Sequence, residues 1–320
     1  MDQPRIVFMG TPIFAVSMLK TLLTMPYTVV GVVTQPDRYV GRRRVLTPPP
    51  VKTLAQEAGL NVLQPEKIRD KQALEAIADL QPNMIVTAAY GQILPVSLLS
   101  MMTLGAYNVH ASLLPKYRGG APIQYAILQG ETKTGVTIMT MEKAMDAGAM
   151  WAQTVVPIDP VMTYGQLHDE LAKKGSQLLK ETLPQIIAGA LQPVEQDLEK
   201  VSFAPTLTRD DEQLNFSQSH QRVFDRIRAL CPQPGAFTHL GDKLLKIWYA
   251  TANASWEGSG DPGQIVAVTP DGPLIACGTG AIIATKVQLE GKSMQSGAEF
   301  VRGNRNLVGM MLKNVRESAK

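Results

Sequence analysis

Apolar residues recur along the first half of the chain in two alternating rhythms. Arg5 to Met9 (RIVFM) is a short unbroken apolar run closed by Gly10-Thr11-Pro12, as expected of a buried strand. Phe14 to Leu23 then places apolar residues at 14, 15, 18, 19, 22 and 23, the spacing of one helical face. Tyr27 to Val33 (YTVVGVV) returns to a β-branched strand. Helices are predicted near 50–58 and 70–80, strands at 83–89 and 105–110, a helix over about 121–130, and strands near 135–141 and 150–156. Strands alternating with helices imply an α/β fold: a doubly wound, mostly parallel, Rossmann-like sheet with its ligands outside the carboxyl ends of the strands.

From Thr163 to about Gly189 the pattern is that of one long amphipathic helix, with Leu167, Leu171, Leu178, Leu179, Leu183, Ile186 and Ile187 on its apolar side. The rhythm then breaks. Residues 191–208 hold Pro193 and Pro205 with little periodicity, which suits a linker. A helix over about 217–230 follows, then short apolar runs at 236–240, 243–250, 263–268, 273–277 and 281–290, separated by Gly, Pro and Asp. That cadence fits a small β-barrel or a sandwich. The expected layout is a domain over 1–190, a linker over 191–208 and a second, smaller domain over 209–320.

Composition narrows the class. Hydrophobic residues make up 45% and charged residues 18% of 320 positions, which suits two globular domains and argues against disorder. No apolar run approaches the roughly 18 residues of a membrane span. The start, MDQPRIVFMG, lacks the basic and apolar regions of a signal peptide, so a cytoplasmic protein is expected. Cys231 and Cys277 are far apart, and with four histidines there is no metal-ligand spacing, so neither a disulfide framework nor a metal is expected. The net charge of +3 is uninformative, but its distribution is not. Pro36 to Lys52 carries Arg38, Arg42, Arg43, Arg44 and Lys52 against Asp37 alone, while the rest of 1–208 holds more acids than bases. Clustered guanidinium groups suit phosphate; the plain alternative is a solubilising loop.

The first strand is followed by GTPIFA rather than by a dinucleotide fingerprint, and no phosphate-binding P-loop occurs. Candidate chemistry lies further on. Asn108 and His110 stand two apart at the end of a predicted strand, so their side chains share a face. An irregular stretch, Ser112 to Gly120, follows at the ligand-bearing edge, and Asp146 lies in a later loop, MDAG. An amide, an imidazole and a carboxylate can act together on a carbonyl: donors for an oxyanion and a carboxylate to orient groups and move protons. By spacing alone, the same residues read more often as loop scaffolding and an ordinary turn. No nucleophilic Ser or Cys sits in a recognisable elbow, which points to direct transfer between two bound substrates.

Longer stretches carry a resemblance. RIVFMGTPIFAV (5–16), VVTQPDRYVGRRRVLTPPPVK (32–52), AAYGQILP (88–95), NVHASLLPKYRGGAPIQYAI (108–127), GVTIM (135–139), MDAG (145–148) and LKIWYA (245–250) together resemble the methionyl-tRNA formyltransferase family along nearly the whole chain. The Asn-x-His-x-Ser-Leu-Leu-Pro run with the later Asp-x-Gly marks the wider superfamily of formyltetrahydrofolate-using transferases and hydrolases. The TQPDR…GR…LTPPPVK insert narrows it to the tRNA enzymes.

The resemblance implies that the α-amino group of methionine on initiator tRNA attacks the formyl carbon of 10-formyltetrahydrofolate. It implies catalytic roles for Asn108 and His110, which polarise the formyl oxygen and stabilise a tetrahedral intermediate, and for Asp146, which holds His110 and assists proton transfer. Ser112, Leu113, Leu114 and Pro115 would line the folate site, with Ala89, Tyr90 and Gly91 at the pterin pocket. Arg38, Arg42, Arg43 and Arg44 would meet the tRNA acceptor arm, Arg42 occupying the place of the family's Gly-Arg element. The second domain would be an OB-like barrel holding tRNA backbone, although 209–320 is only slightly basic. A monomer without a metal or a membrane anchor is expected.

Four departures from the family pattern stand out. Thr206 replaces a usual Lys, Cys231-Pro232-Gln233-Pro234 replaces Asn-Pro-Trp-Pro, Ala149 replaces a frequent Asp, and Ile13 replaces Glu. The first puts a tRNA contact in doubt; none removes a proposed catalytic residue. Two competing readings keep the chemistry with another acceptor: a sugar-nucleotide or glycinamide-ribonucleotide formyltransferase, or a formyltetrahydrofolate hydrolase. Another class, a non-catalytic RNA-binding module, would make Asp146 dispensable. The basic segment and the second domain disfavour the other acceptors.

Overall fold

Continuous burial separates the central strands from everything around them, as in a sheet covered on both faces. A computed structural model describes residues 3–41 and 44–313. The chain divides into two compact units. The first gathers residues up to Pro122, Lys133–Pro157 and His168–Pro205; the second gathers Ile123–Thr132, Ile158–Leu167 and the residues from Thr206 on.

In chain order the elements are β1 (Arg5–Gly10), α1 (Ile13–Leu23), β2 (Thr28–Val33), β3 (Arg38–Val40), β4 (Val45–Thr47), α2 (Pro50–Glu57), β5 (Val62–Leu63), α3 (Lys71–Ala78) and β6 (Met84–Ala88). There follow α4 (Val96–Leu99), β7 (Ala106–His110), α5 (Pro122–Leu128), β8 (Lys133–Thr140), β9 (Met150–Pro157) and α6 (Tyr164–Ile187).

The sheet of the first unit has seven strands in the order β5-β2-β1-β6-β7-β8-β9. Pairing is parallel from β5 to β7 and antiparallel for β7-β8 and β8-β9. The expected mostly parallel α/β sheet is therefore observed. Every residue of β6 is buried, whereas β9, at the edge, mixes exposed and half-buried positions. Side chains of β1 feed both faces. Val7 and Met9 join Val33, Ile77, Ile85, Leu94 and Leu98 in one core cluster. On α6 a Cβ at Gly175 would approach Met18 of α1, Val109 of β7 and Val136 of β8, so this helix packs closely on the sheet. Burying each large aliphatic side chain is worth about 1.5–3 kcal/mol.

The chain runs from β1 outward to β2 and β5, then returns past β1 to β6. The carboxyl ends of β1 and β6 therefore flank a topological switch point, the crevice where open α/β sheets take ligands.

Two segments differ from the sequence expectation. The basic stretch contains an antiparallel hairpin, β3 on β4, with Arg38 opposite Thr47 and Tyr39 opposite Leu46. Part of the stretch expected to be a linker is hydrogen-bonded into the first unit. Val194 pairs with Met150, and Phe203 pairs with Arg118. Backbone groups of a mobile linker would be satisfied by water; these are satisfied by the protein.

The second unit contains α7 (His220–Ala229), β10 (Ala236–Leu240), β11 (Lys243–Asn253), β12 (Ile265–Val268), β13 (Pro273–Ala276), β14 (Ala281–Leu289), β15 (Gln295–Ser296) and α8 (Gly297–Gly303). Its strands form an antiparallel sheet in the order β10-β11-β14-β13-β12, with β15 on β14. Ser219 caps α7 by accepting from the Arg222 amide, and Ser296 with Glu299 forms a capping box on α8. Phe216, Ile227, Ile247, Ile275 and Phe300 form its core.

Candidate active site

Register along β6, β7 and β8 sets the positions of the first two candidates. Thr87 of β6 pairs with Asn108 of β7, and His110 pairs with Thr137 of β8. Asn108 and His110 alternate onto one face of β7, as the sequence predicts. Asn108 is half-buried, and its Oδ1 accepts from the Thr87 hydroxyl at 2.7 Å. With the oxygen engaged, the amide Nδ2 is left as a donor.

His110 is buried, with both ring nitrogens directed at partners. Nε2 lies 3.0 Å from the Tyr117 carbonyl oxygen. A carbonyl can only accept, so Nε2 carries a proton and Nδ1 is the nitrogen able to exchange one. Nδ1 faces Asp146 Oδ2 at 3.6 Å. That gap exceeds a hydrogen bond, but a carboxylate so close steadies positive charge developing on the ring.

Asp146 occupies the left-handed region, with φ 49°, in the connection from β8 to β9. Asp tolerates that conformation better than most side chains, yet it persists only where the surroundings hold it. Here they do. Oδ2 accepts from the Gly119 amide at 2.8 Å. The Asp146 and Gly148 carbonyls each accept from Gln196 Nε2 at 2.8 Å. A Cβ at Gly148 would lie 2.1 Å from the Thr140 carbonyl oxygen, so only glycine fits. Gly119, with φ +124°, is under the same constraint: a Cβ would meet the Ala204 oxygen at 2.6 Å. The loop that follows His110 and the loop that carries Asp146 are thus tied together through the Gly119 amide and the Gln196 side chain.

Sequence reasoning missed Thr87, Arg118, Gln153 and Gln196. The buried Arg118 donates through Nε and Nη2 to Gln196 Oε1 at 3.1 and 2.8 Å. Gln153 Nε2 donates to the Leu114 carbonyl and to Thr137 Oγ1, both at 2.9 Å, fixing the stretch after His110. No short motif in the sequence marks these residues.

The expected folate residues separate into two kinds. Ser112 is fully buried, and its hydroxyl donates to the Lys116 carbonyl at 2.6 Å; Leu114 is buried as well. Both are packed within the protein. Leu113 and Pro115 are half-buried and apolar. At the switch point, Ala89 (φ 46°) and Gly91 (φ 93°) are exposed on either side of Tyr90. The Tyr90 carbonyl accepts from Thr11 Oγ1 at 2.9 Å and Gln35 Nε2 at 3.2 Å. The Tyr90 ring lies in the core, its buried hydroxyl is unpartnered, and burial pushes its phenol up to about 12. What residues 89–91 present to a ligand is therefore backbone, which suits the hydrogen-bonding edge of a flat heterocycle.

Of the expected tRNA contacts, Arg42 and Arg43 lie outside the described residues. Arg38 pairs with Glu66 at 3.0 Å, with both side chains well exposed. Arg44 (φ 48°) sets its guanidinium over the Tyr39 ring, 5.4 Å from the centroid. Tyr39, Val40, Val45 and Leu46 are all more than half exposed. At the base, Lys52 pairs with Asp37 at 2.8 Å and Gln64 donates to Asp37 at 2.7 Å, so the cation of Lys52 is neutralised within the fold. Among the described residues no group of His, Cys, Asp and Glu is arranged to hold a metal ion, and no helix is long and apolar enough to cross a membrane.

Comparison with known proteins adds to this geometry. The family model for Formyl transferase matches residues 4–183, and that for Formyl transferase, C-terminal domain, matches residues 206–305. The methionyl-tRNA formyltransferase of Bacillus subtilis (strain 168) is 49% identical over 300 residues, covering 93% of this chain and 94% of its own length. The protein of the same name from Geobacillus sp. (strain WCH70) is 45% identical over 317 residues, covering 98% and 99%. Among solved structures, WlaRD, a sugar 3N-formyl transferase crystallised with dTDP and 5-N-formyl-THF, superposes with a TM-score of 0.66 at 18% identity over 92% of this chain and 100% of its own. HypX from Aquifex aeolicus in complex with tetrahydrofolic acid gives a TM-score of 0.61 at 18% identity, covering 93% of this chain and 47% of its own. At such identities the structural likeness speaks to the fold alone.

Proposed function

This chain belongs to the formyltransferase family, and on that premise we propose that it transfers the formyl group of 10-formyltetrahydrofolate to the α-amino group of methionine on initiator methionyl-tRNA. The observation that carries the acceptor is identity near one half, over nearly the full length of both chains, to proteins named for that reaction.

The proposed roles follow from the geometry. Asn108 Nδ2, left as a donor by the Thr87 hydroxyl, meets the formyl oxygen as charge gathers on it. His110 Nδ1 is the second group at that oxygen. Asp146, 3.6 Å away, balances the imidazolium and helps the proton lost by the attacking amine reach the departing N10. The new bond joins the amine nitrogen to the formyl carbon, the bond from that carbon to N10 breaks, and one proton moves from amine to N10. The apolar wall of Leu113 and Pro115 and the backbone of Ala89, Tyr90 and Gly91 fit a pterin ring between them, with Ser112 and Leu114 as buried supports. Arg38, Arg42, Arg43 and Arg44 approach acceptor-arm phosphates, and the exposed apolar side chains of the hairpin pack against the opened end of the stem.

We read residues 1–190 as the catalytic domain, 191–208 as the connection and 209–320 as an OB-like tRNA-binding domain. Support for the barrel comes from residues 309–313, which join both edge strands. The Leu312 amide donates to Gly263 at 2.9 Å and the Lys313 amide donates to His239 at 3.0 Å. The enzyme works as a cytoplasmic monomer. The decisive experiment incubates it with 10-formyltetrahydrofolate and charged initiator tRNA and measures the mass of the aminoacyl product. A gain of one formyl group is expected. No gain on methionyl-tRNA, with formylation of an amino-sugar nucleotide instead, would replace the reading by its sugar alternative.

A further inference from the structure

Residues 194–204 lie against both loops of the candidate site. The Val194 and Met150 amides each donate to the other's carbonyl at 2.8 Å where β9 begins. The Arg118 amide donates to the Ser202 carbonyl at 2.9 Å, and the Tyr117 amide donates to the Ser202 hydroxyl at 3.0 Å. The Ala204 amide donates to the Arg118 carbonyl at 2.7 Å. This strap thus grips the loop whose Tyr117 carbonyl holds His110 Nε2, and also the loop that carries Asp146.

One buried side chain on the strap joins them. Gln196 uses both amide hydrogens on the carbonyls of Asp146 and Gly148, and its oxygen receives two donors from Arg118. A primary amide has two donors and one oxygen acceptor, so every polar feature of Gln196 is engaged. Asp146 needs such a hold because its left-handed backbone is unfavourable for a residue with a side chain. The buried guanidinium of Arg118 sits beside Gly119, whose amide binds the Asp146 carboxylate. The two ends of Asp146 are therefore fixed separately, its carboxylate by the Gly119 amide and its carbonyl by Gln196.

We propose that Gln196 is a positioning residue that sets the gap between Asp146 and His110, and with it the rate of proton transfer. The inference rests on the reading of Asp146 and His110 as the reacting pair. Gln196 touches neither substrate in this account; it acts through Asp146. Shifts near 1 Å at a reacting group can cost about a hundredfold in rate, and an amide that fixes a loop from behind controls shifts of that size.

The test uses the full chain carrying Gln196→Glu, which keeps the size of the side chain and its acceptor toward Arg118. It removes both donors and sets a carboxylate against the two carbonyls. Expected is a fall in kcat on the order of 10–100-fold, with KM for the formyl donor and for methionyl-tRNA within about twofold, and a displaced pH–rate profile. Ring-nitrogen NMR of substrate-free enzyme is expected to show displaced His110 resonances, a readout independent of turnover. If Gln196→Glu does not fold, Gln196→Met, which buries no charge, is measured with the same expected split. A folded variant with wild-type kcat, pH profile and His110 resonances would overturn the proposal. So would failure of both variants to fold, since Gln196 would then be structural only. Wild-type enzyme inactive on methionyl-tRNA would count against the function, while the His110 resonance would still report on Gln196.

Discussion

The edge bearing Asn108, His110 and Asp146 and the hairpin Arg38–Thr47 belong to the same unit, yet they treat their polar groups in opposite ways. At the edge, His110 is held by a carbonyl, Asp146 by an amide and by Gln196, and Asn108 by a hydroxyl. In the hairpin, Arg38 has an exposed partner in Glu66, Arg44 lies over a ring, and four large apolar side chains face solvent. Buried polar groups must be satisfied internally, and once satisfied they hold a unique geometry. Exposed ion pairs contribute about 0–1 kcal/mol and hold little. Under the proposed function, the first region is preorganised for the reaction and the second is open to the tRNA that would cover it.

The sharpest way to break this contrast is to damage the edge and watch the hairpin's function. Asp146→Ala or His110→Ala is expected to lower kcat by on the order of 10²–10⁴, with tRNA affinity measured by filter binding unchanged. Loss of affinity with turnover would merge the two regions into one. A gentler change at the edge is Thr87→Val, which frees the Asn108 oxygen without emptying the core. It should lower kcat by about tenfold at constant KM, and cost on the order of 1 kcal/mol in urea unfolding through the lost buried hydrogen bond. Equal loss with Thr87→Ser, which keeps the hydroxyl, would assign the effect to packing rather than to the orientation of the amide.

On the hairpin side the expected signature is salt. Arg44→Ala should reduce the slope of log affinity for tRNA against log salt by about one and leave kcat at saturating tRNA unchanged. The same change at Arg42, which the sequence places in the family's Gly-Arg element, should behave alike. A slope unchanged in both variants would return the segment to a solubilising loop.

What could be read in advance follows the same division. β1 and β6 match the apolar runs that predict them, because strands covered on both faces leave few polar interruptions. β3 and β4 are three residues each and exposed at every position, so no alternation marks them. The helix α8 was missed although Ser296 and Glu299 stand at capping-box spacing, a signal present in the sequence. The strap left no such trace. Its bonds are backbone pairings with irregular loops, and the side chain that matters, Gln196, is one glutamine without periodic context. Asn108 and His110 share a face by strand alternation alone. The approach of Asp146 to His110 instead depends on the antiparallel turn-back of β8 on β7 and on the bonds from Gly119 and Gln196.

The smallest expected effect concerns the hairpin's anchor and carries a pH dependence. The Gln64 amide and then the Lys52 ammonium bond Asp37 and hold its carboxyl below its ordinary value of 3.8. A carboxyl with a lowered folded value contributes fully above its unfolded value, and that contribution disappears as pH falls through the folded one. Hydrogen exchange at Tyr39, Val40, Val45 and Leu46, corrected for intrinsic rates, should therefore report constant protection from about pH 8 to pH 5, weakening only below the ordinary carboxylate range. Asp37→Asn should abolish that acid step and change KM for tRNA by no more than about twofold at neutral pH. Protection lost between pH 8 and pH 6 would point to a group other than Asp37. The hairpin would then be held by something that titrates near neutrality, and its contrast with the edge would need redrawing around that group.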